Sequence, residues 1–269
     1  MDTFIQEDNL NYIYNTYSPN QHLFQAPPTL HLFVTHYNSF PYLLKCISSI
    51  FTQKVSVPFD ITLVDDYSDL PEHYIQEFDR WKEMEPLRLR IHRNTSRLSK
   101  GINLFKCLEM TPCDPEDVIC ILDGDDWLSD ENSLQKVVTA YQETGCWVTY
   151  GSYKHSDGTP GCCTRPLTLE HYDSEKRGRG FREAPWVFSH LFTSKAFLWS
   201  KLTKEILTFK ESNAKVTADQ LFNIPLAEIA GTKRIHFISD VLVTYNNENP
   251  IADCRIDPIG QENLDQLNR

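Results

Sequence analysis

Short apolar runs alternate with segments whose apolar residues recur every three or four positions, and this pattern covers the first half of the chain. LHLFVT (30–35) is a continuous apolar run typical of a buried parallel strand. The segment PYLLKCISSIFTQ (41–53) follows, and its apolar residues fall on one helical face: Leu43, Leu44, Ile47, Ile50 and Phe51. The sequence therefore begins with a predicted strand and helix.

The same pattern of a strand followed by a helix recurs three times, and one more strand follows. Further strands are predicted at 59–66, 87–93, 117–126 and 146–152, and further helices at 71–81, 99–110 and 131–145. Alternating strands and helices of these lengths predict an α/β fold with a doubly wound, mostly parallel sheet. In such sheets a ligand binds at the carboxyl ends of the strands.

The second half of the chain lacks this regular alternation. Residues 164–183 are charged and unpatterned, which predicts a loop, whereas 186–199 and 217–231 have helical patterns. Residues 233–246 predict two short strands around a bend. We expect an N-terminal extension (1–28), one domain (29–247) and a C-terminal tail (248–269). The N-terminal half of that domain would bind a nucleotide, and its C-terminal half would complete the pocket.

Acidic residues follow two of the predicted strands. FDITLVDD (59–66) ends in Asp65 and Asp66, and ICILDGDDWL (119–128) contains Asp123, Asp125 and Asp126. A solvated turn that caps the next helix would explain them, because aspartate is common in turns. Alternatively, clustered carboxylates at a strand end suit a hard divalent cation such as Mn²⁺ or Mg²⁺.

Composition excludes several classes of protein. The formal net charge of −11 argues against nucleic acid as the main partner, and no apolar run reaches the roughly 20 residues of a membrane span. The N-terminus has no apolar signal-peptide core, so we expect the eight cysteines to be reduced thiols. They include no CxxC pair, which argues against a zinc site. We expect a cytoplasmic protein, either soluble or peripheral to a membrane.

Four motifs in order resemble glycosyltransferase family 2, whose fold is called GT-A. They are VTHYN (34–38), VDDYS (64–68), DGDDWL (123–128) and the acidic position that opens TADQLFNIPLAEIAG (217–231). The resemblance covers about residues 30–246. It implies an inverting transferase that moves a sugar from a UDP-sugar to a hydroxyl of a glycan, protein or lipid-linked acceptor, with Mn²⁺ or Mg²⁺.

The resemblance assigns the donor site to the first three motifs. Thr35, Tyr37 and Asn38 would line the nucleotide pocket, and Asp66 would accept a hydrogen bond from the uracil ring. Asp123 would contact the ribose or the metal ion, and Asp125 would be the principal metal ligand. Asp126 would be either a ligand or a supporting group. The donor set also includes Arg97 and Lys100, which could equally be surface charges.

The catalytic base implied by the resemblance is Asp219, which would take the proton from the acceptor hydroxyl. It could also simply cap the helix that follows, and the acid expected before it is replaced by Ala218.

Four further residues are candidates for the acceptor side or for a lid over the donor. His190 could contact acceptor or phosphate, or be packed in the core, and Trp186 lies near it in the sequence. Asp253 and Arg255 could fold over the donor, or belong to a solvated tail.

Two other functions remain open at this point. A metal-dependent nucleotidyltransferase also places carboxylates at a doubly wound sheet, although no glycine-rich phosphate loop with a lysine follows the first strand. A degenerate member that binds a nucleotide sugar or glycan without turnover would explain Ala218.

Overall fold

A computed structural model describes residues 27–98, 100–202 and 218–250. Its strands are β1 (Leu30–His36), β2 (Phe59–Asp65), β3 (Leu89–Arg93), β4 (Val118–Asp123), β5 (Trp127–Leu128), β6 (Val148–His155), β7 (Phe192–Lys195) and β8 (Ile235–Tyr245). Its helices are α1 (Phe40–Phe51), α2 (Glu72–Met84), α3 (Lys100–Met110), α4 (Ser133–Thr144), α5 (Leu169–Lys176), α6 (Ala196–Trp199) and α7 (Ala218–Ala230).

The described strands form one sheet in the order β3-β2-β1-β4-β7-β6-β8-β5. Strands β3, β2, β1 and β4 are parallel, as are β6 and β8, whereas β7 runs antiparallel to both of its neighbours. The predicted α/β fold with a mostly parallel sheet is therefore confirmed.

Helices cover both faces of this sheet. Apolar residues of α1, α2 and α4 pack with the strands in one core cluster, and those of α3, α6 and α7 pack in a second cluster. Helices α1 and α4 each bury one apolar stripe, as the three-to-four-residue spacing predicts. Helix α4 ends at Gly145, whose φ of +63° is a left-handed conformation that glycine adopts without strain.

Three predictions in the second half are wrong. The loop predicted at 164–183 contains α5, which has no apolar stripe and is fixed by a capping box between Thr168 and His171. The helix predicted at 186–199 contains β7, because a strand buried between two others lacks an alternating pattern. The two strands predicted at 233–246 are one strand, β8, whose pairing with β6 shifts register near Ser152.

Parts of the chain lie outside the described residues. These are 1–26, 99, 203–217 and 251–269, so the predicted extension and most of the predicted tail are not tested, and the domain bounds 29–247 stay a prediction. Seven cysteines in the described part are free thiols. No helix within the described ranges is long and apolar enough to cross a bilayer.

Strand register brings the two acidic segments together. Along β1, Thr35 lies opposite Val64 on one side and Asp123 on the other, and His36 lies opposite Asp65. Because the three strands are parallel, their carboxyl ends meet at one edge of the sheet.

A buried histidine joins the amino ends of the same strands. His31 contacts Asp60 through Nδ1 at 2.9 Å and Asp117 through Nε2 at 3.1 Å. Burial lowers the pKa of His31, but hydrogen bonds to Asp60, Cys113 and Asp117 outweigh it and raise the pKa to about 10. His31 is therefore an imidazolium that donates to two carboxylates.

We expect the free energy of unfolding to fall as pH rises from about 6.5 to 10. The folded pKa of His31 lies above its unfolded value, so this contribution is complete below pH 6.5 and is lost toward pH 10. The loss should be on the order of 3–5 kcal/mol. Urea unfolding at several pH values measures this loss. The variant His31→Gln should not show this decrease in the free energy of unfolding between pH 6.5 and 10. His73→Gln, on the exposed surface of α2, is the matched control.

Candidate active site

The second acidic segment forms a tight turn after β4. Asp123 is the last residue of the strand, and the Gly124 N–H donates to the Thr35 carbonyl at 2.9 Å. A Cβ at Gly124 would lie 2.9 Å from both this oxygen and the His36 Cβ, closer than real Cβ contacts. Glycine is therefore required for the turn to approach β1, and this approach places the acids over the sheet edge.

Three side chains converge at this turn. One potential ligand atom each from Asp123, Asp126 and His190 lies within 4.8 Å of the other two. Asp126 is 1% exposed, and its Oδ1 accepts a hydrogen bond from the Asn246 N–H at 2.8 Å. Its Oδ2 is buried without a partner among the described residues. An unpartnered carboxylate oxygen in a group of this composition is suited to a cation.

The acids of this turn destabilise one another in their ionised forms. Burial, followed by the neighbouring carboxylates, raises the pKa of Asp126 well above its ordinary value. Burial and Asp123 likewise raise the pKa of Asp125. Like charges and low solvent access both favour the protonated form. A bound cation would remove this penalty.

Asp125 faces a different partner. Its Oδ2 accepts a hydrogen bond from Asn249 Nδ2 at 2.7 Å, and Asn249 is 3% exposed. Asp125 lies outside the group formed by Asp123, Asp126 and His190. Its role as principal metal ligand therefore stays a prediction.

Lys100 links the turn to the predicted base. Its Nζ lies 2.6 Å from Asp123 Oδ1 and 2.5 Å from Asp219 Oδ1. Burial lowers the pKa of Lys100, but the two carboxylates outweigh it and raise the pKa. Lys100 is therefore a charged group of this site and not a surface charge.

Asp219 lies in the first turn of α7 and is held in its ionised form. Burial opposes ionisation, but Lys100 and then His190 outweigh it, so the pKa of Asp219 is lowered. Asp219 therefore lies near the acidic turn after β4, because one lysine bridges Asp219 to Asp123.

A second acidic position lies at the end of β2. Asp66 Oδ1 accepts hydrogen bonds from Asn94 Nδ2 at 2.8 Å and from the Leu98 N–H at 2.7 Å. Its Oδ2 lies 3.9 Å from Arg97 Nε. Oδ2 is thus the oxygen that remains for a ligand.

Aromatic and cationic groups adjoin Asp66. The Arg97 guanidinium lies 3.6 Å from the centre of the Tyr37 ring, a cation–π contact. Asn38 has φ of +48°, and its Oδ1 accepts from the Asp69 N–H at 2.8 Å, so it fixes the loop after β1. Thr35 is half-buried at the strand end. Tyr37, Arg97 and Asp66 are therefore neighbours beyond the carboxyl ends of β1 and β2, and their role in binding a nucleobase stays a prediction.

Trp186 lies elsewhere: it lines a cavity beside α5. Asp253 and Arg255 lie outside the described residues. Sequence reasoning missed the supporting amides, which are Asn94 for Asp66 and Asn246 and Asn249 for the turn acids. Asn249 falls within the tail segment singled out in the sequence, but its short polar side chain carries no pattern that distinguishes it from a loop residue.

The model for glycosyl transferase family 2 matches residues 32–207. No curated protein matches the chain.

Solved structures with the same fold include S. aureus TarS 1-349, with 19% identity and a TM-score of 0.52 over 81% of this chain and 60% of that chain. A structure of TarS 1-349 in complex with UDP-GlcNAc has 14% identity and a TM-score of 0.55 over 82% of this chain and 59% of that chain. The mannosyltransferase PcManGT from Pyrobaculum calidifontis, in complex with GDP-Man and Mn²⁺, has 16% identity and a TM-score of 0.51 over 88% of this chain and 64% of that chain. The chain thus spans less than two thirds of each of these proteins.

Proposed function

The chain belongs to glycosyl transferase family 2, and we propose that it transfers a sugar from a UDP-sugar to an acceptor hydroxyl with inversion of the anomeric carbon. The observation that carries this proposal is one constellation at the strand ends: Asp123, Asp126 and His190 converge, and Lys100 joins Asp123 to Asp219. Proteins of similar fold bind UDP-GlcNAc or GDP-Man, which supports a nucleotide sugar as donor. The acceptor would be a glycan, protein or lipid-linked hydroxyl.

A divalent cation fits the turn after β4. Asp123, Asp126 and His190 would hold it, and the orphaned Oδ2 of Asp126 supports this choice. Asp125, whose Oδ2 accepts a hydrogen bond from Asn249, would be an additional ligand. When bound, Mn²⁺ or Mg²⁺ would neutralise charge on the diphosphate leaving group. Mn²⁺ in the PcManGT complex supports a metal of this class.

Asp219 is proposed as the general base. Its carboxylate would accept the proton of the acceptor hydroxyl while that oxygen forms a bond to the anomeric carbon. The bond between that carbon and the diphosphate oxygen breaks in the same step, and the electron pair leaves with UDP. Lys100 orients the carboxylate and keeps it ionised. In this proposal residues 29–247 form the catalytic domain, because the segment from β1 to β8 contains the proposed base, its lysine partner and the proposed metal ligands.

Asp66 is proposed to select uracil. The free Oδ2 could accept the imide N–H of uracil, a donor that cytosine lacks. Tyr37 and Arg97 offer a flat face beside it.

Asp66→Asn should weaken UDP binding about tenfold or more, because a hydrogen bond to a charged group contributes about 1.5–3 kcal/mol. Calorimetric titration with UDP and with CDP, both in Mn²⁺, measures the change, and CDP affinity should not fall. Asp69→Asn, which is exposed on the same loop, is the control. Equal losses for UDP and CDP would contradict the assignment to uracil.

The reaction is tested by incubating the protein with a panel of UDP-sugars and Mn²⁺ and measuring products. Slow release of UDP supports sugar transfer to water. Release of pyrophosphate would instead indicate a nucleotidyltransferase. Tight binding of a UDP-sugar with no release, even with added sugar acceptors, would indicate a binding module.

A further inference from the structure

A cavity of about 550 Å³ lies between α5 and the segment that leads to His190. Its lining includes Arg165, Glu170, Ser174, Arg177 and Trp186. The volume falls in the range of small-molecule sites, roughly 300–1,000 Å³. None of the residues assigned above to donor or metal lines it.

The cavity contains an unsatisfied polar group. Ser174 is 6% exposed, lies on the inner face of α5 and lines the cavity, and its Oγ has no hydrogen-bond partner among the described residues. Buried hydroxyls are normally paired, so an orphaned one in a cavity wall is a candidate partner for a ligand.

The other lining groups define the chemistry of that partner. The guanidinium groups of Arg165 and Arg177 are donors, the carboxylate of Glu170 is an acceptor, and the Trp186 indole offers a flat apolar face. A carboxylate on the same wall as two guanidinium groups disfavours phosphate and favours a neutral ligand rich in hydroxyls. A pyranose ring has both required features, with hydroxyls around its rim and an apolar face.

The cavity wall is packed against the core, and it is close in sequence to His190. The Tyr150 hydroxyl donates to the Arg165 carbonyl at 3.0 Å, and Phe188 packs edge-on to the rings of both Tyr150 and Trp186. Trp186 is four residues from His190, a span of at most about 14 Å for extended chain. A chain of sugars bound in the cavity could therefore extend to the transfer site.

We propose that this cavity is a carbohydrate subsite that binds a pyranose unit of the acceptor glycan. Trp186 stacks on the sugar face, and Ser174, Glu170 and the two arginines hydrogen-bond its hydroxyls. Binding of the sugar itself depends only on this cavity, whereas its role as an acceptor subsite rests on the function proposed above.

The test is saturation-transfer NMR with methyl glycosides of glucose, galactose, mannose and N-acetylglucosamine, in the absence of UDP and metal. At least one glycoside should receive saturation from the wild-type protein. Arg177→Ala and Trp186→Ala should each reduce the signal at least fivefold. Lys176→Ala removes the same charge from the adjacent exposed position, which does not line the cavity, and should leave the signal unchanged.

Three outcomes would overturn the proposal: no glycoside binds, the two cavity variants bind as well as wild type, or inorganic phosphate competes away the glycoside signal. Arg177 is exposed, so its variant remains informative if Trp186→Ala fails to fold. A parallel titration with UDP and Mn²⁺ reports the donor site alone. If UDP does not bind in that titration but a glycoside still binds, the result would count against the transferase proposal and not against the carbohydrate site.

Discussion

Replacing Asp219 with asparagine should reduce UDP release from a cognate UDP-sugar about 10²–10⁴-fold, the usual contribution of a positioned general base. Asparagine has nearly the same shape but cannot accept a proton at neutral pH. Lys100 can still contact the amide oxygen, so the site should keep its geometry. Affinity for UDP in the presence of Mn²⁺, measured by calorimetry, should stay close to that of the wild type.

Asp240→Asn is the matched control for this experiment. Asp240 lies on β8, and its half-exposed carboxylate is 3.2 Å from the Lys136 ammonium group of α4. Loss of this carboxylate should not change turnover. Undiminished UDP release by Asp219→Asn would contradict the base assignment. A loss of UDP binding as large as the loss of turnover would show instead that Asp219 supports donor binding.

Replacing Asp126 with asparagine should have two opposite effects: metal-free protein becomes more stable, and Mn²⁺ no longer stabilises it. The folded pKa of Asp126 is raised, so its burial costs stability that grows as pH rises above the ordinary carboxyl range. Asparagine carries no charge and removes that pH-dependent cost, which is about 1.4 kcal/mol for each pH unit by which the folded pKa exceeds the unfolded pKa. The melting temperature should rise by about 2–4 °C for each kcal/mol.

The metal response is the second readout. A ligand at 100 times its dissociation constant stabilises the folded state by about 2.7 kcal/mol, so Mn²⁺ should raise the melting temperature of the wild type. This increase should disappear in Asp126→Asn. Asp125→Asn separates the two candidate ligands: it should keep the increase if Asp123, Asp126 and His190 suffice, and lose it if Asp125 is also a ligand. A full Mn²⁺ response in Asp126→Asn would contradict the proposed site.

The first half of the fold could be predicted from the sequence because its buried strands and amphipathic helices have different periodicities. α1 is an example, since its apolar residues fall on one face and the face is buried. α5 could not be predicted this way, because its burial is confined to His171 and Ser174 and its stability comes from a cap and from bonds between Glu175 and Thr232. The bonds between Glu175 and Thr232 join residues 57 positions apart in the sequence.

The candidate site was predictable to a similar extent. Acids at the ends of parallel strands must lie near one another, so Asp66 and Asp123 could be placed on one sheet edge from the sequence. The bridge from Lys100 to Asp219 spans 119 residues and depends on how α3 packs against α7, which no local pattern encodes. The position of His190 beside Asp126 likewise depends on tertiary packing.

The histidinium at the amino ends of β1, β2 and β4 affects how any rate-against-pH curve should be interpreted. The strands that carry carboxylates of the candidate site at one end are held together at the other by a charge whose contribution to stability begins to decline above about pH 6.5. A decline of turnover in alkaline buffer would therefore combine loss of native protein with titration of reacting groups. Melting curves recorded in the same buffers separate these two causes, and assays near neutrality keep the first of them small.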